Sequence, residues 1–290
     1  MQKPSQEGIT KMLKITTLIE NTADEENKLM NEHGLSLYIE VDGLNILFDT
    51  GQSGAFIDNA MKLGKDLNCL DYVLISHGHY DHSGGLKTFV ESTEHHPTVI
   101  VGDEFFKPKY KTIDTQSTKF IGNAFDEQFL LERKIPLIKI EENRYHLSEH
   151  VIIFHHFNRK NDFEEINKKF FIIDKDKNIT DTYSDEIVLG IVTAKGLVVI
   201  VGCSHFGIVN ILRTIEERME MPIYAVIGGT HLIEADEERI QKTVDAFHEM
   251  KIGFIGVSHC TGELGVQRIT SEFPNQFKYN NTGNIIMMEE

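Results

Sequence analysis

A chain of 290 residues, 26 % charged and 40 % hydrophobic, can bury a sizeable core, which excludes a disordered or fibrous class. Its 45 acidic residues against 29 lysines and arginines give a formal net charge of -16, a surface that on average repels nucleic acid and anionic lipid. Three irregularly spaced cysteines, Cys69, Cys203 and Cys260, do not make a secreted disulfide framework, and no run approaches the ~18 apolar residues of a membrane span, so a reducing, cytoplasmic setting is expected.

Residues 1–11, "MQKPSQEGITK", are polar and are expected to form a flexible extension, with one domain running from 12 to 290. "LKITTLIE" (13–20) reads as a strand, and residues 35–51 as a hairpin, because Asp42-Gly43 tolerates positive φ between two apolar runs. A helix fits residues 55–63, and "DYVLIS" is a strand that runs directly into "SHGHYDHSGG". Residues around 102–185 are the least regular. "KYKTIDTQSTKF" and "FNRKNDFEEINKKF" read as loops of an insertion suited to a lid or a substrate-binding elaboration, with a local basic patch at Lys107, Lys109 and Lys111.

A second hairpin, "EIVLGIVTAKGLVVIVGCSH", turns near Lys195-Gly196 and ends at Cys203 and His205. Apolar spacing of three and four over 208–219 predicts a helix with one buried face. "PIYAVIGGTHL" is a strand ending at His231, a helix with acids at its start follows, and "KIGFIGVSHCTG" is a last strand ending at His259. The halves repeat one order: a hairpin, a helix, then a strand that delivers histidine. Two such halves packed sheet to sheet would bring His77, His79, His205, His231 and His259 to one shared edge.

"HGHYDH" places His77, His79, Asp81 and His82 in six positions after an apolar strand, and these are metal-ligand types that seldom serve packing. A tight turn can aim the first pair at one ion and the second pair at another roughly 3.5–4 Å away. His205 and His259 are the natural remaining donors.

The sequence resembles the metallo-β-lactamase superfamily, whose H-x-H-x-D-H signature is met by His77, His79, Asp81 and His82, with "FDTG" matching the preceding strand-end aspartate at Asp49. The stretches "ENTA", "EHGLSLYIE", "VGCSHFGIVN", "GGTHL" and "SHCTG" are similar to the branch of dihydropterin-aminobenzene-ribofuranosyl phosphate synthase-like hydrolases. The resemblance implies an α/β fold, a four-layer αββα sandwich with a dinuclear site at one edge. It implies two divalent metal ions, zinc first and manganese or iron as alternatives. His77, His79 and His205 would hold one ion, and Asp81, His82 and His259 the other. The chain departs from the common pattern in having "DTYSDEIVLG" in place of a G-H-T loop and Cys203 where a bridging aspartate is usual; Cys203 is a soft ligand or a small packed residue, and His231 a ligand or a catalytic group. The implied activity is hydrolysis by a metal-bound hydroxide, with Asp81 and His231 as catalytic residues, of a small phosphorylated molecule, a phosphoester or phosphodiester. A pterin-linked synthase, and a metal-containing redox or sensor protein, are the alternatives.

Overall fold

Asp42 and Gly43 both take positive φ (52° and 78°) and turn the chain between the antiparallel strands Ser36–Val41 and Leu44–Phe48, as the Asp-Gly pair requires. The structure is a computed structural model that describes residues 12–175 and 177–289, so the extension expected at 1–11 lies outside the described residues. In chain order it has β1 (Met12–Ile19), β2 (Ser36–Val41), β3 (Leu44–Phe48), α1 (Ala55–Lys62), β4 (Tyr72–Leu74), α2 (Tyr80–Ser83), α3 (Gly85–Ser92) and β5 (Thr98–Gly102). There follow β6 (Lys109–Thr112), β7 (Thr118–Phe120), α4 (Glu127–Glu132), β8 (Leu137–Ile140), β9 (Arg144–His146), β10 (Val151–Phe154), β11 (Phe170–Asp174) and β12 (Lys177–Thr180). The remainder is β13 (Val188–Thr193), β14 (Gly196–Val201), α5 (Ile208–Met219), β15 (Ile223–Gly229), α6 (Glu237–Glu249), β16 (Phe254–Ser258), α7 (Gly262–Glu272) and β17 (Ile285–Glu289).

These strands form a seven-stranded sheet in the order β17-β1-β2-β3-β4-β5-β8, a six-stranded sheet in the order β16-β15-β14-β13-β10-β9, and a four-stranded sheet in the order β12-β11-β6-β7. Strand alternation sorts the core into layers. Ile39, Ile46 and Phe48 of the first large sheet join Leu189, Ile191, Val198 and Ile200 of the second in one buried inter-sheet cluster. The opposite face of the first sheet, Tyr38, Leu47 and Val73, packs against Phe56 and Ala60 of α1 and Leu86 and Phe89 of α3. The opposite face of the second, Val199, Val201 and Val226, packs against Ile211 and Ile215 of α5 and Val244 and Phe247 of α6. The result is the αββα sandwich. Each half repeats an antiparallel hairpin, a helix and a parallel strand: β2-β3-α1-β4 and β13-β14-α5-β15. Among the described residues no helix is long and apolar enough to cross a membrane.

Within 102–185 the structure corrects the loop reading of "KYKTIDTQSTKF". Its two ends are β6 and β7, an antiparallel pair, with β11 on the other side of β6. Their polar outward faces hid the alternation, while Tyr110 stacks on Phe171 (5.5 Å between ring centroids) and meets Phe120 edge-on. The basic patch does not form either. Lys109 is buried, and Lys107 and Lys111 pair with Glu104 and Glu234.

Close packing between β13 and β10 gives a stability test. A Cβ on Gly190 would lie 2.4 Å from the Phe154 ring, and Phe154 is fully buried. Gly190→Ala is expected to cost about 1–3 kcal/mol by overpacking. Adding Phe154→Leu should recover part of that cost in urea denaturation, and strictly additive losses would show that the two positions do not compete for space.

Candidate metal centre

The signature turn leaves the C-terminal end of β4 and is held from below by Asp49, which follows β3. The buried Asp49 carboxylate accepts from the Ser76 N–H (2.7 Å), the Ser76 hydroxyl (2.8 Å) and His82 Nδ1 (2.6 Å). A carboxylate only accepts, so His82 carries its proton on Nδ1 and turns Nε2 inward. The Ser76 hydroxyl spends its hydrogen on Asp49, so it accepts from His77 Nδ1 (3.0 Å), and this leaves His77 Nε2 bare, 3.0 Å from His79 Nδ1. Asp81 and His82 sit on the single turn α2, whose N-cap is His79.

Donors from the second sheet meet this turn. Cys203, just beyond β14, puts Sγ 3.1 Å from His82 Nε2. His259, just beyond β16, puts Nε2 3.5 Å from Asp81 Oδ2. Donor atoms of Asp81, His82, Cys203 and His259 all lie within 4.8 Å of one another, and so do those of His77, Cys203 and His205; Cys203 belongs to both groups. His79 lies against the second group, its ring 4.5 Å from His77 and 4.7 Å from His205. His231, in left-handed backbone (φ 47°), brings its ring 4.1 Å from that of His205. The Gly228-Gly229 pair makes this approach possible, since a Cβ at Gly229 would fall 2.5 Å from Cys260 Sγ and one at Gly228 only 1.9 Å from the Val201 carbonyl oxygen. All seven residues expected at the site are therefore together.

The electrostatics divide the histidines. Burial, with neighbouring charges, pushes His77, His79 and His205 well below the usual imidazole range, so the rings are neutral and each keeps one unprotonated nitrogen. His231 is pushed down to about 4 by burial. Burial opposes charge on His82 too, but Asp49 and Asp81 outweigh it and push the ring up to about 9. Burial raises the Cys203 thiol well above its ordinary value, and Cys260 adds to the effect. Among the described residues the buried nitrogens His79 Nε2, His205 Nε2 and His259 Nε2 have no hydrogen-bond partner. Convergent, unpartnered imidazole nitrogens beside a carboxylate and a thiol fit divalent cations, which would satisfy what the protein leaves open.

Several supporting residues were not singled out in the sequence. Glu20, fully buried, accepts from the His259 N–H (2.7 Å), and Asn21 Oδ1 accepts from His259 Nδ1 (2.9 Å), which turns Nε2 to the site. Glu186 accepts from the His205 and Phe206 N–H groups, both at 2.9 Å. The Tyr183 ring stacks on His205 at 4.4 Å and 7°. The "ENTA" and "DTYSDE" stretches mark these positions in sequence, but only folding shows which of their side chains turn inward. His33, exposed, reaches Asp81 Oδ2 at 3.2 Å. His155 and His156 instead form their own cluster with Asp103. A cavity of about 730 Å³ opens beside His205, His231 and Tyr183, with Lys168, Arg239 and Lys242 among its lining residues.

Comparison with known proteins is consistent with this geometry. A family model described as the metallo-beta-lactamase superfamily matches residues 31–209. The chain is 32 % identical over 275 residues to an uncharacterized protein of Methanocaldococcus jannaschii, covering 95 % of this chain and 99 % of that one. It is 31 % identical over 296 residues to the same organism's 7,8-dihydropterin-6-methyl-4-(beta-D-ribofuranosyl)-aminobenzene-5'-phosphate synthase, covering 94 % and 96 %. A crystal structure of a metal-dependent hydrolase of the beta-lactamase superfamily superposes with a TM-score of 0.81 at 31 % identity, covering 96 % of this chain and all of that one.

In chelator-treated protein His82 keeps its second proton up to about pH 9 when folded, against an ordinary value of 6.5. Its contribution to stability is complete below about pH 6.5 and is lost as pH rises through about 9. Asp49→Asn removes the main source of that shift. Urea denaturation is expected to show a stability gap between wild type and Asp49→Asn that is widest near pH 6 and narrows toward pH 9; a gap widening with pH would contradict the assignment.

Proposed function

Because the chain belongs to the metallo-beta-lactamase superfamily, we propose that it is a dinuclear metal-dependent hydrolase acting on a phosphoester or phosphodiester of a small molecule. His77, His79 and His205 would hold one divalent ion, and Asp81, His82 and His259 the other, with Cys203 between them. The observation that carries this reading is that two donor groups share the Cys203 sulfur, and that His205 of one of them lines a cavity of about 730 Å³, a volume suited to a small molecule. Imidazole, carboxylate and thiol together suit zinc first, with manganese or iron as alternatives.

When bound, such ions acidify a water toward neutral pH and offset the negative charge of the transition state. The chain's own groups do the positioning. Asp49 and Ser76 fix the tautomers of His82 and His77, so that both present Nε2 inward. Asp81, with Oδ2 3.5 Å from His259 Nε2 and 3.7 Å from His82 Nε2, would serve as both ligand and catalytic carboxylate. Lys168, Arg239 and Lys242 line the same cavity among the acids Asp162, Glu165, Glu234, Asp236 and Glu238, and Lys242 pairs with Glu238, so a phosphorylated substrate would draw its positive charge from Lys168, Arg239 and the bound ions together. His231, on the cavity wall beside His205 and kept neutral by burial, would act as a hydrogen-bond donor to the leaving group. The same reading treats residues 12–290 as one domain in which the 102–185 elaboration contributes substrate contacts, since Asp162, Phe163, Glu165, Ile166, Asn167, Lys168 and Tyr183 line the cavity. A pterin-linked synthase is the second reading, favoured by the name of the relative that matches across nearly the whole chain.

The test is a panel of chromogenic phosphomonoesters, phosphodiesters, lactones and thioesters, run on protein whose metal content is measured. Turnover of a phosphoester is expected with zinc or manganese loaded. His77→Ala should lose metal and activity together, whereas His231→Ala should keep its metal and lose about 100-fold or more in kcat. A fully loaded protein inert toward the entire panel would sink the hydrolase reading and turn attention to the pterin substrate; loss of metal in His231→Ala would make that residue a ligand.

A further inference from the structure

Lys109 is 2 % exposed, and its ammonium meets two equally buried carboxylates, Asp181 Oδ2 at 2.7 Å and Asp185 Oδ1 at 2.9 Å. The phosphoester reading does not use these three charges. Asp185 turns its second oxygen, Oδ2, to the Gly78 N–H at 2.7 Å, and Gly78 is the residue between His77 and His79. We propose that the Lys109–Asp181–Asp185 triad is a positioning device that sets the spacing of His77 and His79 for metal uptake.

Three further contacts support it. Gly78 has no room to move or to carry a side chain, because a Cβ there would lie 2.6 Å from the Phe105 carbonyl oxygen and 3.2 Å from Lys109 Cε. The segment bearing Asp185 is tied to the same strand end a second time, where the Ile187 N–H donates to the Ser76 carbonyl at 2.8 Å. Asp181 Oδ1 accepts from the Tyr183 N–H at 2.8 Å, and the Tyr183 ring lies flat on His205. One five-residue stretch, 181–185, therefore fixes the backbone between two of the proposed ligands and one face of the third. Lys109 pairs with both acids at the ends of this stretch, and it arrives from β6 of the small sheet.

Energetics favour a role in geometry over one in stability. A buried ion cluster contributes little net stability compared with an apolar cluster of the same volume, because desolvation consumes most of the Coulombic gain. Removing the cation alone leaves two carboxylates close together in a dry site. At least one of them must then take up a proton, and a protonated Asp185 is a weaker acceptor for Gly78.

This inference rests on His77, His79 and His205 binding metal, and the experiment separates the two. Metal-stripped wild type, Lys109→Met and Asp185→Ala are titrated with cobalt(II) and zinc(II), following the visible cobalt bands and the zinc affinity by competition. Far-ultraviolet circular dichroism and thermal melting follow the fold, and Phe247→Leu, in the helical core away from the site, serves as a control of reduced stability. Folded Lys109→Met and Asp185→Ala are expected to bind zinc about 10- to 100-fold more weakly and to shift the cobalt bands, whereas Phe247→Leu lowers the melting temperature and leaves both unchanged. If Lys109→Met does not fold, Asp185→Ala, which removes the Gly78 acceptor directly, carries the expectation by itself. Wild-type affinity and spectrum in the folded triad variants, or an equal spectral shift in Phe247→Leu, overturn the positioning role. A wild-type chain that takes up neither metal overturns the ligand assignment itself, and the triad's role with it.

Discussion

The carboxylate of Asp49 is the constraint on which the site depends. It sits in left-handed backbone (φ 61°) at the end of β3, fully buried, and accepts from Ser76 twice and from His82 once. Those three bonds join the ends of two parallel strands and decide which nitrogen of His82, and through Ser76 which nitrogen of His77, is left facing the centre. An apolar residue there would leave a buried imidazole N–H and a buried hydroxyl without partners, at about 1–3 kcal/mol each. The orientation of the donors is thus set by hydrogen bonds beneath them before any cation is present.

The sandwich explains why so many polar groups can share a dry place. Each half ends its parallel strands on the same edge, so β4 delivers the HxHxDH turn while β14, β15 and β16 deliver Cys203, His231 and His259. The inter-sheet core of Ile, Leu and Val holds the two edges at a fixed distance. Polar strand ends there would be costly on their own, and the structure answers the cost from outside the strands: Glu20 and Asn21 bind His259, Glu186 binds the backbone at His205, and Asp185 binds Gly78.

Much of this was legible in the sequence because it follows from local periodicity and from dense ligand motifs. The Asp42-Gly43 hairpin, the strands leading to the histidines and the helix at Ile208–Met219 all form within a residue or two of where the pattern puts them. The family resemblance added what periodicity could not, the four-layer αββα arrangement as a whole. What stayed hidden depends on contacts between distant residues. Lys109 reads as one of three alternating surface lysines, and nothing local reveals that Asp181 and Asp185, more than 70 positions on, take it into the interior. Strands β6 and β7 were missed because their half-polar sequences are stabilised by aromatic partners from each other and from β11.

Charge balance links the metal-free and metal-bound forms. In the dry centre Asp49 and Asp81 face His82, and the protonated His82 ring, held up to about 9, supplies the positive charge that two buried carboxylates need. Cys203, 3.1 Å from His82 Nε2, stays a thiol because burial and Cys260 oppose a further negative charge. If Asp81, His82 and Cys203 hold a divalent cation as proposed, its charge would take over the electrostatic role of the His82 proton and favour ionisation of the thiol. The proton on His82 is then a placeholder for the cation. With Cys203 as the donor common to both groups, the exchange would be steep, since a thiol becomes a strong ligand only on ionising, which a nearby positive charge favours.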